Sequence, residues 1–431
     1  MKRKITAYLE AWKNSPHRKP LIVQGARQVG KTWSILEFGR EHYDNVAYFN
    51  FETNPSLGAT FDEDISPAAL LPVLSHLCGQ TIVRERTLIV FDEVQLCERA
   101  LTSLKYFCEQ APEYHVIVAG SLLGVAVNRR KFSFPVGKAD IVTMHPLDME
   151  EFLWALGEDD LTKRARTSFE ENAPMPAALH AAAMKLYREY LATGGMPECV
   201  AQYAPTRDFT LVRHIQDTIL AGYLNDMSKY NTNGEIKKTR LAYDSAAVQL
   251  SKRNTRFQYK LVKKGARASE FENAIEWLVL SGIVSQVFRA EQIRKPLENY
   301  KNIDDFKIYY SDTGLLCAHN GLSAADVLYM DGTMDDFKGG LAENYVNVQL
   351  TANGHRAWYW ESDRGAEVDF IVVRDDQIIP VEVKSADNVQ AKSLKQYIAA
   401  HKPAYAIKLS AKNFGFENGI KTVPLYAAFC V

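Results

Sequence analysis

The chain has 431 residues, enough for roughly two to four domains. Hydrophobic residues make up 47% and charged residues 24%, so ordinary globular cores can be built. With 51 Lys and Arg against 52 Asp and Glu the formal charge is −1, which excludes a chain that coats nucleic acid over its whole surface and leaves only a local patch for such a partner.

The first twenty residues, MKRKITAYLEAWKNSPHRKP, are charged and lack the apolar core of a signal peptide. No stretch approaches the ~20 apolar residues that span a bilayer. The expectation is a soluble protein of the cytoplasm with no membrane partner. The six cysteines, Cys78, Cys97, Cys108, Cys199, Cys317 and Cys430, include no CxxC pair, so they read as reduced thiols rather than a zinc site or a disulfide framework.

Leu21-Ile22-Val23 reads as a buried parallel strand and runs into Gly25-Ala26-Arg27-Gln28-Val29-Gly30-Lys31-Thr32, followed by a helical pattern with Trp33, Leu36 and Phe38. This is GxxxxGK[ST] between strand and helix, the context of a phosphate loop. Gly25 and Gly30 let the backbone curl so that its N–H groups converge on phosphate oxygens, and the helix N-terminus adds positive partial charge. Lys31 is expected to reach the β/γ-phosphates of ATP and the Thr32 hydroxyl to ligate Mg²⁺. Leu88-Ile89-Val90-Phe91-Asp92-Glu93 is a second buried strand that delivers Asp92 to the metal and Glu93 to an attacking water as general base. A third strand, Val116 to Gly120, ends at Ser121.

Residues 150–230 read mainly as helix, with an Ala/Pro-rich entry at 173–183 and a buried stripe of Tyr187, Tyr190 and Leu191. Residues 252–267 carry Lys252, Arg253, Arg256, Lys260, Lys263, Lys264 and Arg267 with no acid, and Phe257 and Tyr259 are interleaved. A helix over 271–280 and a strand over 283–288 follow, an order that resembles a winged helix, a DNA-docking module whose phosphate contacts weaken with salt. The other reading is a solvated basic face.

Residues 340–353 form a helical pattern with Glu343 near its start. Strands then read at Ala357-Trp358-Tyr359-Trp360, at 366–373 with Asp369, and at Ile378 to Lys384, followed by a helix over 390–400. Strand alternation sends Glu382 and Lys384 to one face. Carboxylates are hard ligands for Mg²⁺, and a lysine two residues beyond the last one can orient a metal-activated water or stabilise a leaving group.

The strand–GARQVGKT–helix, LIVFDE and VIVAGS order resembles the AAA+ superfamily. More narrowly, the chain resembles the prokaryotic ATPases of the ORC-like clade that carry a C-terminal nuclease-like domain. The narrower resemblance is carried by Asp92-Glu93-Val94-Gln95, His145-Pro146-Leu147 with Glu150-Glu151-Phe152, Gly194-Gly195-Met196-Pro197-Glu198, Phe306-Lys307-Ile308-Tyr309 and Asp312-Thr313-Gly314-Leu315. It implies that Ser121 is a polar sensor of the γ-phosphate or the water, and that helices after the ATPase core form a lid. The family usually has Gly-Arg ahead of the Pro-Leu motif, a trans-acting finger, where this chain has Gly137-Lys138. Lysine lacks the bidentate fork, and Arg129 or Arg130 are the substitutes at hand. Glu343, Asp369, Glu382 and Lys384 resemble the PD-(D/E)xK nuclease core, in the arrangement with a helical glutamate seen in Holliday-junction resolvases. Asp369 and Glu382 are then its metal ligands.

The expected architecture is α/β: a P-loop AAA+ core at 1–155, a helical lid at 156–230, a winged-helix-like domain at 231–334 and a restriction-endonuclease-like domain at 335–431. The expected function is an ATPase acting on DNA with a metal-dependent nuclease arm. The alternative is a nucleotide-switched regulator whose C-terminal domain only binds a partner. ATP and Mg²⁺ are the expected cofactors and DNA the expected partner, with a homo-oligomer left open.

Overall fold

The computed structural model describes residues 1–121, 135, 137–230, 233–250, 256–330, 332–385 and 392–431. They divide into one unit of residues 2–145 with 280–282, and a second of Met1, 146–279 and 283–431. Arg129, Arg130, Lys252 and Arg253 lie outside the described residues.

The first unit is built on β1 (Leu21–Gln24), β2 (Asn45–Asn50), β3 (Thr87–Asp92), β4 (His115–Gly120) and β5 (Asp140–Thr143). They form one parallel sheet in the order β2-β3-β4-β1-β5. Neighbouring residues alternate between its faces. Ile22, Phe49, Ile89, Phe91 and Val118 pack with Leu70 and Leu74 of helix Pro67–Cys78 and Leu104 of helix Glu98–Gln110. Leu21, Val23, Leu88, Val90 and Ile117 pack with Leu9 of helix Lys4–Asn14 and Phe38 of helix Lys31–His42. A parallel sheet covered on both faces explains why its inner strands β1, β3 and β4 read as apolar runs. Each such fully buried side chain contributes about 1.5–3 kcal/mol.

The second unit holds an eight-stranded mixed sheet. Its strands are β6 (Val284–Ala290), β7 (Lys301–Tyr310), β8 (Ala357–Glu361), β9 (Glu367–Arg374), β10 (Gln377–Val383), β11 (Ala406–Ser410), β12 (Gly415–Glu417) and β13 (Ile420–Pro424), in the order β12-β13-β11-β10-β9-β8-β6-β7. The expected strands with Asp369 and Glu382 are β9 and β10, an antiparallel pair. The expected strand over 283–288 is β6, and it belongs to the same sheet, as does β7, which was not among the expected strands. β6 pairs with β8 at Phe288↔Trp358 and Arg289↔Tyr359. The stretches on either side of the expected boundary at 334/335 thus contribute strands to one hydrogen-bonded sheet. The helices expected as a lid pack in this unit too, Tyr187 against Tyr345 at 4.8 Å and Tyr190 against Tyr345 at 5.7 Å between ring centroids. Among the described residues no helix is long and apolar enough to cross a membrane.

Three of the short motifs lock together here. Asp312 caps helix Thr313–His319 through the Leu315 N–H at 2.8 Å and accepts from the Gly195 N–H at 2.6 Å. A Cβ on Gly194, which has φ +73°, would stand 2.2 Å from Asp312 Oδ1, and one on Gly195 would stand 1.9 Å from the Leu147 carbonyl oxygen. The Leu147 N–H donates to the Gly195 carbonyl at 2.7 Å, and the Tyr190 hydroxyl donates to the Leu147 carbonyl at 2.7 Å. Burial pushes the Asp312 carboxyl up to about 6 against four backbone N–H donors that pull it down. The HPL, GGMPE and DTGLL stretches thus specify a buried junction of the fold.

Candidate functional site

In the first unit the loop between β1 and helix Lys31–His42 curls where the sequence requires. Gly25 has φ +145° and lies so close to β5's exit that a Cβ would stand 2.1 Å from the Met144 carbonyl oxygen. Gly30 caps the helix in the left-handed region at φ 87°. Gln28 also has positive φ, 63°. Ala26, Arg27 and Val29 complete the turn, with Ala26 and Val29 in the core and the Arg27 guanidinium 3.9 Å from Glu52.

Lys31 is buried, and its ammonium donates to the carbonyls of Gly25 at 3.0 Å and Ala26 at 2.8 Å. Burial lowers its pKa to about 8, opposed by the charges of Glu93 and Asp92. Asp92 ends β3 with one carboxylate oxygen accepting from the Thr32 hydroxyl at 2.8 Å and the Tyr48 hydroxyl at 2.8 Å. Its other oxygen accepts from the Glu93 N–H at 3.0 Å. Burial, with Asp92 beside it, pushes the Tyr48 phenol up to about 12, so it stays a donor. Thr32 Oγ1 and Asp92 Oδ2 are oxygen donors side by side at a loop built for phosphate, a set that fits Mg²⁺.

Glu93 sits in the left-handed region at φ 52°, a conformation that costs a non-glycine residue of order 1–3 kcal/mol. Its carboxylate accepts from the Gln95 side-chain amide and, at 3.5 Å, from the Ser121 hydroxyl. The sequence-predicted set Lys31, Thr32, Asp92, Glu93 and Ser121 is therefore brought to one place. Sequence reasoning missed Tyr48, whose strand β2 it did not read, and the hold of Gln95 on Glu93. Lys138 is partly exposed and pairs with Glu109 at 2.9 Å.

In the second unit a cavity of about 270 Å³ gathers Glu343, Asp369, Glu382 and Lys384, together with Lys307, Glu367, Arg256 and Phe257. Asp369 accepts from the Val383 N–H at 2.7 Å, which ties β9 to the end of β10. Lys384 meets Glu382 Oε1 at 2.5 Å, and Glu382 Oε2 is buried with no hydrogen-bond partner. Glu343, from helix Asp335–Ala352, accepts from the Tyr309 hydroxyl at 3.2 Å and pairs with the Lys307 ammonium at 3.4 Å. Lys307 also pairs with Glu367.

Burial pushes the Asp369 carboxyl well above the usual range, and Glu343 and Glu382 add to it against Lys307 and Lys384. Glu382 is raised by burial too, against the pull of Lys384. Burial disfavours the Lys307 ammonium, but Glu343, Glu367 and Asp369 outweigh it and hold the pKa well above the ordinary value. Among the described residues no group of three or more His, Cys, Asp or Glu gathers as a metal cage. The donor set is instead a carboxylate pair, Asp369 and Glu382, with one orphaned buried oxygen. That set suits Mg²⁺, which binds through one or two carboxylates and keeps several waters. Lys307 and Glu367 were not singled out from sequence, although a lysine inside the apolar run Phe306-Lys307-Ile308-Tyr309 is the signal that could have found the first.

Three family models match, in separate parts of the chain. The AAA domain family matches residues 17–153. These residues, which hold the phosphate loop, are similar to an AAA domain. A domain of unknown function (DUF8612) matches 184–326, and another (DUF4143) matches 338–428. No curated protein sequence matches the chain. Among solved structures, a Walker-type ATPase of Pyrococcus abyssi is 14% identical over 74% of this chain and 95% of its own, with a TM-score of 0.45. The ORC1 protein of Aeropyrum pernix, solved with DNA, is 12% identical over 76% and 91%, with a TM-score of 0.28. The Holliday junction branch migration motor RuvB of Thermotoga maritima is 14% identical over 68% and 88%, with a TM-score of 0.28. At TM-scores below 0.5 none of these likenesses fixes a shared topology.

Proposed function

We propose that this ATPase uses its nucleotide cycle to govern metal-dependent hydrolysis of DNA by the C-terminal carboxylate cavity. Lys31 exchanges two loop carbonyls for the β/γ-phosphates of ATP, while the loop N–H groups and the helix N-terminus hold the remaining phosphate charge. Thr32 and Asp92 would hold Mg²⁺, which would neutralise charge on the phosphates. Glu93, aimed by Gln95, polarises the attacking water, and Ser121 lies where a polar sensor would report hydrolysis.

In the cavity Asp369 and Glu382 would hold Mg²⁺, which would supply an activated water and charge stabilisation at the phosphodiester. Lys384 orients that water or the leaving oxygen, and Glu343 is held against the site by Lys307 and Tyr309. The observation that carries this reading is the orphaned, buried Oε2 of Glu382, a residue that lines one cavity with Asp369 and Lys384. A buried carboxylate oxygen without a donor is costly unless a ligand satisfies it.

The test measures ATP turnover and Mg²⁺- or Mn²⁺-dependent cutting of linear and branched DNA by wild type, Lys31→Ala and Lys384→Ala. Lys31→Ala should lose ATP binding and Lys384→Ala should lose cutting while keeping ATP turnover. Cutting that survives Lys384→Ala in purified protein removes the nuclease assignment. The second reading, a nucleotide switch whose C-terminal domain only binds a partner, is favoured by one observation. Lys138, at the place of the family's finger arginine, is engaged by Glu109. It expects slow hydrolysis and no cutting by any variant.

A further inference from the structure

The basic segment and the carboxylate cavity, read separately in the sequence, meet in the structure. Residues 256–267, RFQYKLVKKGAR, hold five cations and no acid. The segment begins in the cavity wall, where Arg256 and Phe257 stand with Glu343, Asp369, Glu382 and Lys384. It is fastened there by its backbone. The Phe257 N–H donates to the Phe306 carbonyl of β7 at 2.8 Å. Buried Gln249 clamps Gln258 from both sides, accepting its N–H at 2.7 Å and donating to its carbonyl at 3.1 Å. The Phe257 ring stacks on Phe306 at 5.9 Å, and Tyr259 meets Phe257 edge-on at 5.4 Å. The aromatic side chains are thus spent on anchoring the segment, which leaves its cations to the solvent. Arg256 pairs loosely with Asp305 at 3.6 Å. Lys260, Lys263, Lys264 and Arg267 are exposed and have no ion-pair partner among the described residues.

We propose that residues 256–267 form the DNA-binding rim of the carboxylate cavity and lead a phosphodiester backbone to Asp369, Glu382 and Lys384. Four carboxylates in and around the cavity repel a phosphate at long range, so an entrance lined by unpaired cations supplies the attraction that the site itself lacks. Contacts of this kind position the backbone and carry no base preference. This inference rests on the DNA-acting reading above and adds where the DNA lies.

The test uses the full chain and fluorescence anisotropy of a labelled DNA duplex in EDTA, which stops metal-dependent cutting, over a salt series. The variant Lys260→Gln/Lys263→Gln/Lys264→Gln is compared with Lys163→Gln/Arg164→Gln/Lys185→Gln, an equal charge change on exposed helical positions elsewhere in the unit. Thermal melts and ATP turnover confirm that both remain folded. The expected result is a slope of log K against log salt shallower by about 2–3 in the first variant, at ~0.9 per lost phosphate contact, and unchanged in the second. Equal slopes in the two variants, or a wild type whose binding does not depend on salt, overturn the proposal. DNA that binds with the expected slopes but is not cut when Mg²⁺ or Mn²⁺ is restored upholds the rim and defeats the nuclease reading instead.

Discussion

Lys31 and Lys307 are both buried lysines, and they are in opposite situations. Among the described residues the Lys31 ammonium bonds only the carbonyls of Gly25 and Ala26, and burial lowers its pKa to about 8. Lys307 lies among Glu343, Glu367 and Asp369, and its pKa is driven up despite burial. The first is a cation on which burial outweighs the charges of Glu93 and Asp92. The second is a permanent counter-ion that lets three carboxylates share one cavity. A buried charge therefore marks ligand binding where its hydrogen-bond partners are neutral, and structure where they are charged.

Substitutions can break or sharpen this contrast. The largest effect is expected at the chemistry beside Lys31. Glu93→Gln should keep ATP binding, measured by calorimetry, and lower the rate of phosphate release by about 10²–10⁴-fold, the range of a lost general base. Unaltered turnover would leave Glu93 as a strained turn with no role.

Next comes the direct comparison. Lys307→Met should cost about 3–5 kcal/mol in urea unfolding, because it leaves buried carboxylates uncompensated. Lys31→Met should stabilise the free protein at neutral pH. Here the folded pKa lies below the unfolded value, so folding disfavours the charged form. Wild type should therefore gain stability relative to Lys31→Met as pH rises from about 8 to about 10.5. Equal losses for the two variants would erase the contrast.

Asp312 offers a carboxylate counterpart away from both sites. Its folded pKa of about 6 lies above the unfolded value, so its stabilising contribution is complete below pH ~4 and is lost as pH rises through 6. The stability difference between wild type and Asp312→Asn should shrink by up to about 3 kcal/mol over that window, read from melts at each pH. The smallest effect is expected for Gln95→Leu, which frees the Glu93 carboxylate. It should lower turnover about tenfold, the rate equivalent of one ~1.4 kcal/mol hydrogen bond, with KM for ATP unchanged.

Much of this was legible in the sequence where local pattern and chemistry coincide. GARQVGKT between a strand and a helix gave the loop, and the four apolar residues before Asp92-Glu93 gave a strand that ends on two acids. Asp369, Glu382 and Lys384 could be placed on facing strands because alternation and a short turn fix their register. Tyr48 and Gln95 were not legible as site residues, since each acts on an acid through a contact that exists only after folding. Lys307 interrupts an apolar run, a signal of burial, but only its place in β7 near helix Asp335–Ala352 brings it to Glu343 and Glu367. The GGMPE and DTGLL stretches were legible as motifs but not as partners, because residues 195 and 312 meet through the tertiary fold.

The sequence by itself determined the phosphate loop, the acid-ended strand and the carboxylate–lysine hairpin, because glycine freedom, apolar runs and two-residue alternation act over short spans of chain. Only the tertiary structure decided that β6 and β7 join the C-terminal sheet, that the basic segment opens into the carboxylate cavity, and that the pKa of one buried lysine is raised while that of another is lowered. Those outcomes depend on sheet order and burial, which arise from contacts between distant residues and leave no periodic trace in the chain.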